Sequence, residues 1–155
     1  MSSRKVFSTI AVLFTSATAA AANCPDYGQN GGSYSFSSQD VYTAKRFAAV
    51  AGGGVNLGNC GEAPGVGHVS EAPDFTLDYS RTGNYNIRLR SQGTCDTVLL
   101  VNDANGNWYW DDESGDGPDT QIVLQNPASG YIDVWIGSYN GDVCDASLDI
   151  ESFDR

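Results

Sequence analysis

Downstream of residue 23 the chain is built from short runs of alternating apolar and polar residues, separated by Gly, Asn, Asp and Pro. Phe75, Leu77 and Tyr79 alternate with Thr76, Asp78 and Ser80. Tyr85, Ile87 and Leu89 alternate with Asn86, Arg88 and Arg90, and Ala146, Leu148 and Ile150 with Ser147, Asp149 and Glu151. A period of two sends one set to one face of a strand and the other set to the opposite face. There is no heptad and no helical period, so the pattern predicts an all-β sandwich. Val98 to Val101 is apolar throughout, which predicts a central strand covered on both faces. Ile132, Val134 and Ile136 should face inward, leaving Tyr131, Asp133 and Trp135 outward, or Trp135 buried beneath a loop. Arg46 to Ala51 is a further strand, and residues 23–32 and 51–66, rich in Gly and Asn, read as long loops.

Turn chemistry sets strand direction. Asp103-Ala104-Asn105-Gly106 fits a type I turn with Asp first and Gly fourth. Asn126 to Gly130 joins two more strands. A strand over 97–102 therefore runs away from Cys95, 107–111 returns, 120–125 goes out and 130–137 comes back. This parity places Asp96, the segment 111–119 and the loop 138–145 at one end of the sandwich. It pairs Cys95 with Cys144 and, by elimination, Cys24 with Cys60. Four thiolates in a zinc site would need close CxxC pairs, and the gaps here are dozens of residues.

Compartment and charge narrow the task. Residues 1–22 have the form of an export signal: Arg4 and Lys5, then the apolar run Val6 to Phe14, then small residues up to Ala22. Residues 23–155 then form a single domain, periplasmic or secreted, where an even number of cysteines reads as disulfides. The whole chain carries a net charge of −11; without Arg4 and Lys5, 19 acidic residues face six basic ones, a net −13. So acidic a chain cannot hold a nucleic-acid backbone or an anionic lipid surface through Lys and Arg. No later stretch is apolar enough to enter a membrane.

Three constellations carry chemistry. The densest is Asp111-Asp112-Glu113-Ser114-Gly115-Asp116-Gly117-Pro118-Asp119, at the same end as Asp96. Clustered carboxylates repel one another, and Ca2+ relieves that repulsion through flexible oxygen ligands. Asp96, Asp111, Asp112, Asp116 and Asp119 are the candidate ligands. A solvated acidic loop whose Asp side chains cap turns is the alternative, and both readings stay open. Asp103-x-Asn105-x-Asn107 resembles the start of an EF-hand loop, but Trp108 stands at its sixth position and Ser114 at its twelfth, which favours a hairpin. Trp108 and Trp110 share a strand face, as a stacking platform for a glycan or extracellular polymer, or as core. His68 lies two residues from Ser70 without a nucleophile-elbow sequence, so a surface imidazole is favoured over a hydrolase triad.

From about Asp74 to Glu151 the chain resembles the bacterial pre-peptidase C-terminal domain. The residues that carry this are Asp96-Thr97-Val98-Leu99-Leu100-Val101, Asn105-Gly106, Trp110-Asp111-Asp112, Asp119-Thr120-Gln121-Ile122 and Ser129-Gly130-Tyr131-Ile132-Asp133-Val134-Trp135. The resemblance implies a jelly-roll-like antiparallel β-sandwich without catalytic activity of its own. It also implies calcium or polymer binding in some relatives, with acidic family positions matched by Asp96, Asp111, Asp112 and Asp119. The chain departs from that family in having no protease domain and in carrying two expected disulfides. The expectation is a non-enzymatic exported module in a binding or structural role, with a glycan-binding module and a small hydrolase as alternatives.

Overall fold

The computed structural model describes residues 23–115 and 119–154. The segment read as an export signal and the candidate ligand Asp116 lie outside the described residues. Eleven strands are present among the described residues: β1 (Gly32–Ser37), β2 (Lys45–Ala51), β3 (Val55–Asn56), β4 (His68–Val69), β5 (Phe75–Ser80), β6 (Tyr85–Gly93), β7 (Thr97–Asn102), β8 (Trp108–Asp111), β9 (Thr120–Leu124), β10 (Gly130–Ser138) and β11 (Cys144–Asp154). A four-stranded sheet has the order β2-β11-β6-β9. In the seven-stranded sheet, β1, β5, β10, β7 and β8 lie side by side, with β4 also on β10 and β3 on β4.

The expected all-β sandwich is found, with one departure from an antiparallel plan. β1 lies parallel to β5, with Gly32 opposite Phe75 and Ser37 opposite Ser80. A parallel pair needs a long crossover. The chain provides it by crossing to the other sheet as β2 and returning through β3 and β4 before β5.

The alternation read from the sequence fills the space between the sheets. Leu77, Tyr79, Leu89, Leu99, Val101, Ile132, Val134, Ile136, Leu148 and Ile150 make one buried cluster. Every residue of β7 is buried, as its unbroken apolar run requires. At the end of the sandwich that holds Cys95, the inner layer turns polar and is partly knitted together by hydroxyls. The Ser91 hydroxyl meets the Thr97 and Thr120 hydroxyls at 2.9 and 2.7 Å.

A second buried cluster lies on the outer face of the seven-stranded sheet. Val98, Leu100 and Trp135 point there from β7 and β10, and Val55, Leu57, Cys60, Ala63 and Val69 cover them. The segment 51–66, read as a long loop, thus contains β3 and a 3-10 turn at Leu57–Asn59, and with β4 just after it forms a cap. Trp135 takes the buried alternative and has no exposed surface. Leaving a side chain of that size in water would forfeit about 3 kcal/mol. Cys24–Cys60 ties the chain entering β1 to this cap.

The end-of-sandwich rim inferred from strand parity is present. Cys95 is bonded to Cys144, the Tyr139 amide donates to the Asp96 carbonyl at 2.9 Å, and the Thr94 amide donates to the Asp145 carbonyl at 3.0 Å.

Asp74 repairs a gap in the ladder. β5 pairs with residues 130–134 of β10 and β4 meets β10 again only at Ser138, so the intervening backbone cannot keep register. The Asp74 carboxylate accepts the Ile136 amide at 2.6 Å. Burial pushes this carboxyl up to about 6, against the lowering effect of the Ile136 hydrogen bond.

Two outcomes follow. The fold binds the Asp74 proton more tightly than the unfolded chain, so this group's stabilisation is complete below about pH 4 and is lost as pH rises through about 6, by up to about 3 kcal/mol. Urea midpoints should fall between pH 4 and 7, and Asp74→Asn, which keeps an acceptor for Ile136, should flatten that slope. Replacing Cys95 and Cys144 together by Ser opens a link between residues 49 apart. It should lower unfolding stability by about 4 kcal/mol in urea titrations.

Candidate binding site

Where the cap ends, the outer face of the seven-stranded sheet is open. Asn102, Asp133 and Thr76 are successive cross-strand partners on β7, β10 and β5, so their side chains line up on that face. The next row joins Tyr131, Asp78 and Ser35 on β10, β5 and β1. Tyr131 is 64% exposed.

A groove of about 280 Å3 lies over the first row. Its walls are Tyr27, Tyr131 and the turn from Asp103 to Gly106, and its floor is Asn102 and Asp133. Local chemistry fixes each wall. Asp26 organises the turn that presents Tyr27: its carboxylate accepts the Gly28 amide at 2.8 Å and the Gln29 side-chain amide at 3.2 Å, and its own amide donates to the Glu71 carbonyl. The Tyr27 ring stands edge-on to Trp108, 6.0 Å between centroids, and remains 57% exposed. Gly130, at φ 137°, lets the 103–106 turn press against the start of β10, since a Cβ there would meet Ala104.

The two carboxylates of the groove differ. Asp103 Oδ1 accepts the amides of Asn105 and Asn107, each at 2.9 Å, and Oδ2 accepts the Asn107 side chain at 3.1 Å and the Tyr109 hydroxyl at 3.0 Å. Burial pushes Asp103 up, but these hydrogen bonds outweigh it and hold it below the usual carboxylate range. Its oxygens are committed to the hairpin, as preferred over an EF-hand loop. Asp133 keeps more capacity. Its Oδ1 accepts the Thr76 hydroxyl at 2.6 Å, and that hydroxyl accepts the Gly31 amide at 3.0 Å. Burial raises the Asp133 carboxyl, partly offset by the Thr76 hydrogen bond. Asn102 is 5% exposed, and its Nδ2 has no hydrogen-bond partner among the described residues.

Among the described residues the candidate calcium ligands are not drawn into one cluster. Asp111 Oδ2 accepts the Ser114 and Gln121 amides at 3.0 and 2.8 Å, and Asp119 Oδ2 accepts the Gln92 side chain at 2.9 Å. Asp96 lies at the rim through its carbonyl, and its buried Oδ1 has no hydrogen-bond partner among the described residues. Among the described residues no three or more His, Cys, Asp or Glu side chains are placed to hold a metal ion. Of the candidate ligands, Asp111 thus has one oxygen taken by backbone amides and Asp119 one by a side chain.

Trp108 and Trp110 are half-buried rather than a free platform. Trp108 packs on Trp135 with centroids 5.3 Å apart. The Trp110 indole donates to the Val66 carbonyl at 3.0 Å, and Gly65, at φ 90°, lies so close that a Cβ would run into the ring. His68 is half-buried at the start of β4, not on a surface loop, and Ser70 donates to the Ala72 carbonyl at 2.7 Å. Sequence reasoning did place Tyr131 and Asp133 outward. It missed Tyr27 and Asn102, since no local pattern links a loop tyrosine to a residue 75 positions away.

No family model and no curated protein matches the chain. Solved structures of similar shape include PliG of Aeromonas hydrophila, a periplasmic lysozyme inhibitor of g-type lysozyme, at 10% identity and a TM-score of 0.43, covering 81% of this chain and 99% of that one. Another is the pre-peptidase C-terminal domain of collagenase from Bacillus anthracis, at 9% identity and a TM-score of 0.41, covering 81% and 98%. Likenesses this distant carry no argument about ligand or partner.

All three tryptophans of the chain belong to the cluster beneath the cap. Replacing Cys24 and Cys60 together by Ser should therefore shift intrinsic fluorescence to the red and raise acrylamide quenching. Far-UV circular dichroism should keep the β signal of the sandwich, which Cys95–Cys144 still holds.

Proposed function

We propose that this protein is a non-enzymatic binding module, exported to the periplasm or the exterior, that holds a polymeric ligand on the open half of its seven-stranded sheet. The observation that carries this reading is the groove between Tyr27 and Tyr131, with the buried amide of Asn102 in its floor. A buried donor left without a partner costs about 1–3 kcal/mol, which a ligand acceptor recovers. Tyr27 and Tyr131 offer aromatic faces beside it, the combination that marks recognition surfaces.

The surroundings support a binding role for an extended ligand. The groove opens onto the polar rows of β5 and β1, whose Ser33, Ser35 and Asp78 are exposed. Two disulfides make the frame rigid, which lowers the ordering cost of binding and suits an oxidising compartment. Ser70, the hydroxyl two residues from His68, donates to the Ala72 carbonyl.

Cosedimentation with insoluble cellulose, chitin, xylan and collagen fibres tests the proposal. The protein should partition onto at least one of them. A Tyr27→Ala/Tyr131→Ala variant should lose about tenfold or more in affinity while melting as the parent does. Partition onto none of the four would overturn the reading.

A further inference from the structure

Each wall of the groove excludes a class of occupant. Neither Lys nor Arg lines it, so it has no counter-charge for phosphate, sulfate or a uronic acid, and the chain's acidity repels such groups. β10 and β7 are hydrogen-bonded on both edges, so an extended peptide finds no free backbone to add to. A cation would find a single open carboxylate oxygen, on Asp133, beside the donor Nδ2 of Asn102 and an Asp103 already saturated by four hydrogen bonds.

The remaining chemistry is that of a hydroxyl group. Asn102 and Asp133 are direct cross-strand partners, so an amide donor and a carboxylate acceptor stand side by side. Asp133 Oδ1 takes the Thr76 hydroxyl, leaving Oδ2 for a ligand. A sugar hydroxyl accepts and donates at once, and two adjacent hydroxyls match such a pair. The C–H faces of a pyranose are apolar, and Tyr27 and Tyr131 supply apolar surface on either side at low conformational cost. A volume of about 280 Å3 suits a ring-sized unit, with the rest of a chain lying along the polar rows outside.

Building on the function proposed above, we infer that the groove is a saccharide-binding site for a neutral polysaccharide. One pyranose unit hydrogen-bonds to Asn102 and Asp133 and packs between Tyr27 and Tyr131.

Isothermal titration of the whole exported chain with cellohexaose, xylohexaose, chitohexaose and maltohexaose tests this. At least one should bind, and Tyr131→Ala and Asn102→Ala should each weaken it by about tenfold or more. Tyr131 is exposed, so its variant should fold as the parent does; a melting curve checks Asn102→Ala. Asp133→Asn, which keeps an acceptor for Thr76, should also weaken binding, whereas Asp78→Asn, in the neighbouring row, should change it less. If the protein sediments with collagen through Tyr27 and Tyr131 but binds none of the four sugars, the saccharide assignment is wrong and the binding-module reading stands. Sugar binding unchanged in both Tyr131→Ala and Asn102→Ala would overturn the site itself.

Discussion

The seven-stranded sheet has two apolar faces, and the second must be covered by something other than the opposing sheet. Val98, Leu100 and Trp135 create that need on the outer side, and the cap around Leu57 and Val69 meets it. A sheet buried on both faces must find backbone and side chains to lie over it. Here they come from Gly-rich segments too irregular to form long strands. Cys24–Cys60 removes much of the conformational freedom that would otherwise oppose ordering those segments. The cap covers only part of the face, and its edge is one wall of the groove.

Polar groups are placed by the same geometry. Where β4 and β5 fail to run on as one strand, Asp74 supplies the acceptor that the backbone cannot. On the open face, Thr76 connects the Gly31 amide to Asp133, linking the β1 entry to the centre of the sheet. Asp103 spends both oxygens on one hairpin. Asn102, one residue before that hairpin, is the floor residue whose amide donor these exchanges leave over. Buried polar groups are normally paired, so a donor left over in the floor of a groove is one that a ligand acceptor would satisfy.

Charge is partitioned between the faces. Arg46, Asp149, Arg90 and Gln121 form one cross-strand row on the outer side of the four-stranded sheet, with Arg46 and Asp149 paired at 2.6 Å. Arg88 joins Glu151 at 3.3 Å beside it and lies over the Phe153 ring. That sheet therefore uses Arg46 and Arg88, two of the six basic residues after residue 22, against its own carboxylates, while Arg90 donates to the Gln121 side chain at 3.2 Å. The groove on the opposite sheet keeps its acidic character, which matters for what can enter it.

The sequence alone determined the inward faces of β5, β6, β10 and β11, the doubly covered β7, the hairpin at Asp103 and both disulfide pairings. Each rests on a period of two or on strand direction, which act over a few residues and accumulate predictably. β1, β3 and β4 were illegible, because strands this short or this exposed carry little apolar alternation, and the parallel β1–β5 pair depends on a distant crossover. For the acidic run the sequence left a calcium site and a turn-capping loop both open, and in the fold Asp111 accepts backbone amides and Asp119 the Gln92 side chain. Only the tertiary structure decided that Trp108 and Trp110 serve the cap and that Tyr27, Asn102, Tyr131 and Asp133 meet instead. Proximity across 100 residues is set by how the cap lies over the sheet, and no local pattern encodes it.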